Sequence, residues 1–389
     1  MQAGEYVLFK IPDLSYIHRS ESNKRMKKSP SIQSKRKFID CLLKWNSEFN
    51  TRQMPWKGEK DPYKIWLSEI ILQQTRVDQG LKYFNNFIKE FPDIQTLAKT
   101  QDKKIFKLWE GLGYYSRCTN LIATARLIVK ERKGKFPETY TEIKNLKGVG
   151  PYTAAAIASF AFNLPHAVVD GNVFRVLARV FGIDKPIDST EGKNYFNELA
   201  TELLDKNQPG LYNQAIMDFG AVVCKPALPL CTKCVIKKNC FAYLNNMVNE
   251  LPVKAKKILI KKRWFCYLVI EYKNYTVIRQ RTAKDIWQQL YEFPLIETST
   301  IPKAEKLLKY AEKNGTFNEK EYEVEEVSPV FKQQLSHQLI SGQFIHIRLK
   351  HKPHLKDGSF LAAKNKLDQY AFPKFINQYM KTKREGQSV

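Results

Sequence analysis

Apolar residues recur every three to four positions from Phe38 to about residue 250, which is the spacing of one helix face. Asp61 before Pro62 marks a helix start, because an aspartate caps free N–H groups and proline suits the first turn. Further helices are predicted at 38–49, 102–109, 117–132, 139–146, 152–162, 190–206 and 209–223. Because no stretch before residue 264 alternates as a strand does, we predict that this part is nearly all helical.

The pattern changes at residue 264, where WFCYLVIEYKNYTVIRQR alternates as a hairpin of two strands does. Helices are predicted near 302–313 and 372–381, so this part reads as a smaller α+β domain. Because 389 residues exceed one ordinary core, two domains are expected. The predicted division is a basic disordered arm (1–36), a mainly α domain (37–249), a basic linker (250–263), the α+β domain (264–381) and a short tail (382–389).

The charge of the chain indicates the class of its partner. Lys and Arg number 64 against 39 Asp and Glu, which gives a formal net charge of +25. Such an excess favours a polyanionic partner, most simply nucleic acid, although a basic solvated surface remains the alternative. No run of 18 apolar residues is present, so no membrane span is expected, and the first twenty residues lack a clear signal-peptide core.

Four of the seven cysteines crowd into residues 224–240, in the order Cys224-x6-Cys231-x2-Cys234-x5-Cys240. This spacing indicates a metal site with four thiolate ligands in a reducing compartment, rather than a disulfide framework. Zinc and a [4Fe–4S] cluster are the alternatives. Zinc sites tend to have two separated CxxC pairs, so the compact uneven loop favours the cluster.

Two glycines, Gly148 and Gly150, precede Pro151 and an apolar run in LKGVGPYTAAAIA. A tight turn before a helix N-terminus leaves backbone N–H groups free to bind an anion such as a phosphate. Leu146 and Val149 are expected to fix the turn by packing between two helices. The other interpretation is an ordinary glycine-rich turn.

Two carboxylates stand out. Glu69 lies in the apolar helical segment IWLSEIIL, where burial would raise its pKa and let it hold a proton near neutrality. Asp170 lies between an apolar pair and a glycine in VVDGNV. The alternatives are a solvent-facing glutamate and an aspartate that only caps a helix.

These motifs together resemble the adenine DNA glycosylases of the MutY type, within the helix-hairpin-helix, iron–sulfur DNA glycosylase superfamily. The resemblance covers residues 38 to 350, and its marks are PWK at 55–57, WLSEIILQQT at 66–75, GLGYYSR at 111–117, LKGVGPYTAAAIA at 146–158, VVDGNVFRVLAR at 168–179, NQAIMDFGAVVC at 213–224 and LSH at 335–337. It implies a helix-hairpin-helix catalytic domain that carries the [4Fe–4S] loop, followed by a Nudix-like lesion-recognition domain.

Position 152 separates this branch from its relatives. Glycosylases of the endonuclease III type place a lysine there, whose amine forms a Schiff base and leads to strand cleavage. The residue here is Tyr152, and a phenol cannot form an imine, so a monofunctional glycosylase is expected. The competing hypotheses are an endonuclease III-like lyase, a thymine-mismatch glycosylase and a non-catalytic DNA-binding scaffold.

The resemblance implies hydrolytic removal of adenine paired with 8-oxoguanine or guanine in double-stranded DNA. Glu69 then protonates the extruded adenine, and Asp170 stabilises the oxocarbenium-like sugar, with Tyr152 beside Asp170 to orient it. The other residues that it implies are Gln214, Arg52 and Trp56 in the adenine pocket, Gln74 and Tyr114 as gap-filling and wedge residues, Gly148 and Gly150 on a phosphate, and Ser336 and His337 as the lesion sensor.

The sequence departs from the family pattern at three places. Leu335 stands where the family usually has Phe, Lys57 stands where arginine is common, and the second domain lacks the metal-binding helix of a Nudix hydrolase. Aromatic stacking at 335 and a bidentate contact at 57 are therefore in doubt, and no nucleotide hydrolysis is expected. The remaining expectations are a monomer without membrane association, in the bacterial cytoplasm at the nucleoid.

Overall fold

The structure is a computed structural model that describes residues 30–255, 259–300, 302–313, 322–355 and 358–386. Residues 1–29, which form most of the predicted basic arm, lie outside the described part. The helices before residue 250 are α1 Ile32–Glu48, α2 Pro62–Leu72, α3 Val77–Glu90, α4 Ile94–Lys99, α5 Asp102–Trp109, α6 Tyr115–Arg132, α7 Tyr140–Lys144, α8 Pro151–Phe162, α9 Gly171–Phe181, α10 Thr190–Leu203, α11 Pro209–Val222 and α12 Phe241–Leu244. No strand occurs in the described residues before Lys261.

Two apolar clusters divide the helical domain. One gathers buried side chains of α2 to α8, and the other gathers those of α1 and α9 to α12. Helix α8 begins at Pro151 and is buried continuously from Thr153 to Ser159, so it runs through the centre of the domain. A cavity lies where the two halves meet, and it takes side chains from α2, α8 and α11 and from the start of α9.

The second domain is a mixed sheet with a helix on each face. Its strands are β1 Lys261–Tyr272, β2 Tyr275–Gln280, β3 Tyr291–Glu292, β4 Leu295–Thr298, β5 Tyr322–Val327, β6 Phe331–Gln334, β7 Gln338–Leu349 and β8 Phe360–Ala363, and its helices are α13 Ala304–Lys313 and α14 Lys374–Gly386. Strands β1 and β7 are parallel neighbours at the centre, in the order β3-β2-β1-β7-β5. The main-chain approach is close, since a Cβ on Gly342 would lie 2.1 Å from the carbonyl oxygen of Phe265.

Alternation along β1 supplies both faces of the sheet. Phe265 and Tyr267 belong to the cluster that includes α14, whereas Cys266 and Leu268 belong to the one that includes α13. The first of these clusters also contains the core of α2 to α8, so the apolar packing continues from one domain into the other. This architecture confirms the predicted class of a mainly α domain followed by a smaller α+β domain.

The structure differs from the predicted division at four boundaries. Helix α1 begins at Ile32, because the Ser31 side chain accepts from the Ser34 N–H and caps it, so residues 32–36 are not part of an arm. The start of the predicted linker is anchored to the helical domain, where Leu251 is buried and Val253 O accepts from Ile187 N at 3.0 Å. Strand β1 begins at Lys261 rather than at 264, and α14 continues to Gly386 through most of the predicted tail.

Candidate active site

One cavity of about 910 Å³ opens between the two halves of the helical domain. It brings together residues that are far apart in the sequence. Every predicted catalytic and adenine-pocket residue lines it, together with the predicted gap-filling glutamine: Glu69, Tyr152, Asp170, Gln214, Arg52, Trp56 and Gln74. A cavity of this size holds a molecule as large as a nucleotide base with its sugar.

Glu69 is on α2, buried to 7% exposure, and faces the cavity with Ile65 and Leu72 as neighbouring lining residues. Burial raises the pKa of its carboxyl to about 7, a hydrogen bond from Tyr152 lowers it, and the nearby charge of Asp170 raises it further. The carboxyl therefore retains a proton near neutrality, which a general acid requires.

Tyr152 lies at the start of α8 and interacts with both carboxyl groups. Its hydroxyl forms a hydrogen bond with Glu69, and the charge of Asp170 also acts on it. Burial and the two carboxyl groups hold the pKa of the phenol well above its ordinary value, so Tyr152 remains a hydrogen-bond donor. Tyr152 is therefore placed to donate a hydrogen bond to Glu69 beside Asp170.

Asp170 is the N-cap of α9. One carboxyl oxygen accepts from the Val173 N–H at 2.8 Å, and the other accepts from the Asn172 side-chain amide at 2.7 Å. Burial raises the pKa of Asp170, and these hydrogen bonds counteract that increase. Among the described residues, the donor to the Glu69 carboxyl is Tyr152 alone, so Glu69 holds a proton more readily and Asp170 ionises more readily.

The loops that carry Gln74 and Tyr114 share one support. Both residues have left-handed backbones, with φ of 55° and 47°, which is uncommon for side chains of this kind. The guanidinium of Arg117, itself 8% exposed, donates to Gln73 O at 2.7 Å and to Gly113 O at 3.2 Å. Arg117 therefore holds the two loops in a fixed relation, at the rim of the cavity.

The glycine turn between α7 and α8 has the predicted packing. Leu146 and Val149 are buried, whereas Gly148 and Gly150 are exposed. Gly148 has φ of 80°, and a Cβ there would meet the Asn120 side chain at 2.7 Å. A Cβ on Gly150 would meet no described atom within 4 Å, so this exposed side of the turn leaves room for an external anion.

Ser336 and His337 form the tip of the hairpin between β6 and β7, which is closed by a 2.7 Å hydrogen bond from Leu335 N to Gln338 O. The hydroxyl of Ser336 contacts that of Tyr114 from the helical domain. A second cavity of about 570 Å³ lies beside this contact and is lined by Gln74, Tyr114, Leu335, Ser336 and His337. Gln74 borders both cavities, so the predicted wedge and lesion-sensor residues lie next to the predicted catalytic pocket.

The two domains are joined by specific contacts next to the Tyr114 loop. The Glu110 carboxyl accepts from Phe372 N at 2.7 Å and from the Asn377 amide at 2.9 Å. Lys107 donates to Tyr370 O at 3.1 Å, and the Lys103 ammonium lies 3.9 Å from the centre of the Tyr370 ring. These contacts fix the hairpin of Ser336 relative to the helical domain.

The four cysteines of the loop at 224–240 have free thiols and line one small cavity with Arg179. A single zinc ion holds thiolate sulfurs about 3.8 Å apart, given Zn–S bonds of about 2.3 Å. Among the described residues, no three of these sulfurs lie within 4.8 Å of one another. Four thiols around one cavity can hold either a zinc ion or an iron–sulfur cluster.

The surroundings of the sulfurs also fit a metal cluster. Burial raises the pKa of Cys234 to about 12, so a thiolate there depends on the positive charge of a metal. The Ile236 N–H points at Cys234, and the Arg179 guanidinium lies 3.6 Å from the Cys224 sulfur. Such donors stabilise thiolate ligands from outside the cluster.

Comparison with known proteins decides the family. Residues 67–202 match the model of the HhH-GPD superfamily base excision DNA repair proteins, and residues 266–382 match that of the NUDIX domain. The adenine DNA glycosylase of Buchnera aphidicola subsp. Baizongia pistaciae is 37% identical over 305 residues, which is 77% of this chain and 83% of that relative. The chain belongs to the adenine DNA glycosylase family.

A second adenine DNA glycosylase and a solved DNA glycosylase structure are also similar to this chain. The adenine DNA glycosylase of Buchnera aphidicola subsp. Schizaphis graminum is 39% identical over 268 residues, which cover 67% of this chain and 75% of that relative. The solved structure of a thermostable thymine-DNA glycosylase is 30% identical and superposes with a TM-score of 0.51. The match covers 55% of this chain and 98% of the chain of that structure. The chain is thus a base excision repair enzyme, a hydrolase of N-glycosyl bonds with a Nudix-like second domain.

The described residues contain no helix that is long and apolar enough to cross a membrane.

The active site contains residues that the motifs did not predict. Asn172 supports Asp170, Arg117 supports the two loops, and Asp218 contacts Arg52 at 2.7 Å and Gln214 at 2.9 Å. Asp218 lies four residues after Gln214 on α11, so helical spacing alone could have identified it.

Proposed function

We propose that this adenine DNA glycosylase removes adenine paired with 8-oxoguanine or guanine, with Glu69 and Asp170 as its catalytic carboxyls. The observation that carries the proposal is their joint presence in one buried cavity, where the pKa of Glu69 is raised to about 7. A duplex base reaches such a cavity only when it is extruded from the stack.

The proposed chemistry resembles that of glycosidases. Glu69 donates its proton to a ring nitrogen of adenine, and the C1′–N9 bond breaks with its electron pair leaving on the base. The carboxylate of Asp170 stabilises the positive charge that develops on the sugar, and water then completes the hydrolysis. Tyr152 holds Glu69 by a hydrogen bond and supplies no amine, so no strand cleavage accompanies base release.

The remaining roles follow from position. Gln214, Arg52 and Trp56 border the adenine, while Gln74 and Tyr114 fill and wedge the duplex. The turn of Gly148 and Gly150 binds a backbone phosphate, and Ser336 with His337 reads the base opposite. The four loop cysteines hold a [4Fe–4S] cluster. The protein acts as a monomer on nucleoid DNA, a polyanionic partner that the net charge of +25 favours.

The test is base release from duplexes that carry adenine opposite 8-oxoguanine, adenine opposite guanine or thymine opposite guanine. Free adenine from the first two is expected, with intact strands and no complex trapped by borohydride. Release of thymine instead, or a trapped covalent complex, would favour the thymine-mismatch or the lyase alternative. Tight binding to all three duplexes without base release would favour a scaffold.

A further inference from the structure

Asp218 is a fully buried carboxylate that none of the proposed catalytic steps uses. Its Oδ1 accepts from the Arg52 guanidinium at 2.7 Å and from the Gln214 amide at 2.9 Å. Its Oδ2 accepts from the Asn50 amide at 2.9 Å and from the Lys57 ammonium at 3.2 Å. Both oxygens are thus occupied by donors from two segments of the chain, the loop between α1 and α2 and helix α11.

This arrangement fixes the orientation of the Gln214 amide. An amide has a donating nitrogen and an accepting oxygen at similar positions, and the partners decide which is which. Asp218 presents an oxygen that accepts, so the nitrogen of Gln214 faces it. No donor among the described residues contacts the oxygen of Gln214, which is the polar atom left for the cavity.

We propose that Asp218 is a positioning residue that makes Gln214 a hydrogen-bond acceptor toward the base, so that the cavity selects 6-amino purines over 6-oxo purines. The inference rests on the proposed function, in which Gln214 borders the extruded base. Adenine offers an exocyclic amine that donates at this edge, whereas hypoxanthine and guanine offer an oxygen that accepts.

The reverse orientation is disfavoured by the same contacts. Turning the Gln214 amide would place its oxygen against the Asp218 oxygen in a fully buried position and lose the 2.9 Å hydrogen bond. A 6-oxo purine would then meet the Gln214 oxygen instead of a donor. A pocket built to accept a hydrogen bond rejects a ligand that cannot donate one, because both oxygens are left unpaired.

The experiment measures single-turnover release of adenine, hypoxanthine and unsubstituted purine, each placed opposite 8-oxoguanine in the same duplex. The full-length protein should release adenine faster than hypoxanthine. Asp218→Asn offers an amide nitrogen to the Gln214 oxygen and so allows the turned orientation. The ratio of adenine to hypoxanthine rates should then shrink by roughly tenfold, which corresponds to about 1.4 kcal/mol. Purine has neither group, so its rate should follow general changes in the pocket only.

Asn50→Ala is the matched control, because it removes a donor from the other oxygen of Asp218 and leaves the one that faces Gln214. It should leave the ratio unchanged. An equal reduction of the ratio in both variants would overturn the proposal in favour of general loosening. The same conclusion follows if Asp218→Asn slows all three substrates alike.

Gln214→Leu keeps the test decisive if Asp218→Asn fails to fold. Leucine neither donates nor accepts, so this variant should lose much of the preference for adenine over hypoxanthine. A stronger preference would mean that Gln214 donates to the base, and the proposal would be wrong. A full-length protein that releases no adenine at all would refute the proposed function itself, whereas normal adenine release with unchanged ratios in Asp218→Asn would refute only this inference.

Discussion

The hydroxyl of Tyr152 forms a hydrogen bond with the carboxyl of Glu69, in a site where burial raises the pKa of that carboxyl to about 7. The two effects oppose each other, since the hydrogen bond favours the ionised carboxylate and burial favours the protonated acid. Their balance leaves Glu69 protonated in about half of the molecules near neutral pH. The same balance makes the activity of the protein sensitive to pH.

We expect single-turnover release of adenine to fall as the pH rises through about 7, because the proton that Glu69 donates is then lost. Tyr152→Phe removes the hydrogen bond that lowers the pKa of Glu69, so the decline should move to higher pH. Glu59→Gln, at the rim of the same cavity, is the control and should leave the decline in place. A rate that stays level across this range would remove Glu69 as the proton donor.

The same carboxyl should make stability depend on pH. Burial raises the pKa of Glu69 from 4.5 to about 7, so between these values the folded chain holds a proton that the unfolded chain has released. The free energy of unfolding therefore falls as the pH rises through this interval. Glu69→Gln cannot ionise, so urea unfolding should show the variant gaining on the parent from about pH 5 to about pH 8. An unchanged difference between the two would contradict the raised pKa.

Asp170→Asn should separate the catalytic role of this residue from its structural one. Asparagine caps helices about as well as aspartate, so α9 should stay folded. The negative charge beside the sugar is lost, and adenine release should fall by about a hundredfold or more while binding to the mispaired duplex persists. Asp61→Asn, at the N-cap of α2 and outside the cavity, is the matched control with an unchanged rate. Near-normal release by Asp170→Asn would leave that residue as a cap only.

Local signals in the sequence predicted the elements of this fold better than the contacts between them. Asp61 caps α2 as expected, because its side chain accepts from the Tyr63 N–H. The two residues are close neighbours in the sequence, so the sequence alone was enough to predict this contact. The sequence could not show which carboxyl forms the hydrogen bond with Tyr152, because that depends on the relative positions of α2, α8 and α9. Residues 251–255 resembled a charged linker, yet Leu251 is buried, because the Arg179 guanidinium holds its carbonyl from a distant helix.

The four loop cysteines allow a prediction that is tested by iron content and absorbance rather than by enzyme activity. Serine at Cys224, Cys231, Cys234 or Cys240 should remove iron and sulfide and the broad visible absorbance of a [4Fe–4S] protein. Serine at Cys41, Cys118 or Cys266 should leave them, because these thiols lie outside the loop cavity. The measurement is iron content per chain with the visible spectrum of protein purified without oxygen. A colourless parent with one bound zinc would contradict the cluster.

The last prediction concerns the separate roles of the two domains, namely base release by the helical domain and recognition of the opposite base by the second domain. Every residue that lines the larger cavity lies between Arg52 and Met217, so a chain that ends after Ala255 keeps the whole site. Ala255 is the appropriate end, because its N–H still donates to Asp188 of the helical domain at 2.9 Å. About half of this chain matches nearly the whole of the thermostable thymine-DNA glycosylase. This match supports the independent folding of such a domain.

The shortened chain should still release adenine opposite guanine, slowly, and lose much of the preference for 8-oxoguanine, because it lacks Ser336 and His337. His337→Ala in the full chain should weaken the preference alone, by about 0.5–1.5 kcal/mol for one lost hydrogen bond. Glu110→Ala removes the acceptor for Phe372 and Asn377, so it should loosen the position of the hairpin and act in the same direction without touching either base. If the shortened chain distinguishes the two mispairs as well as the full chain does, Tyr114 and the helical domain must carry the discrimination by themselves.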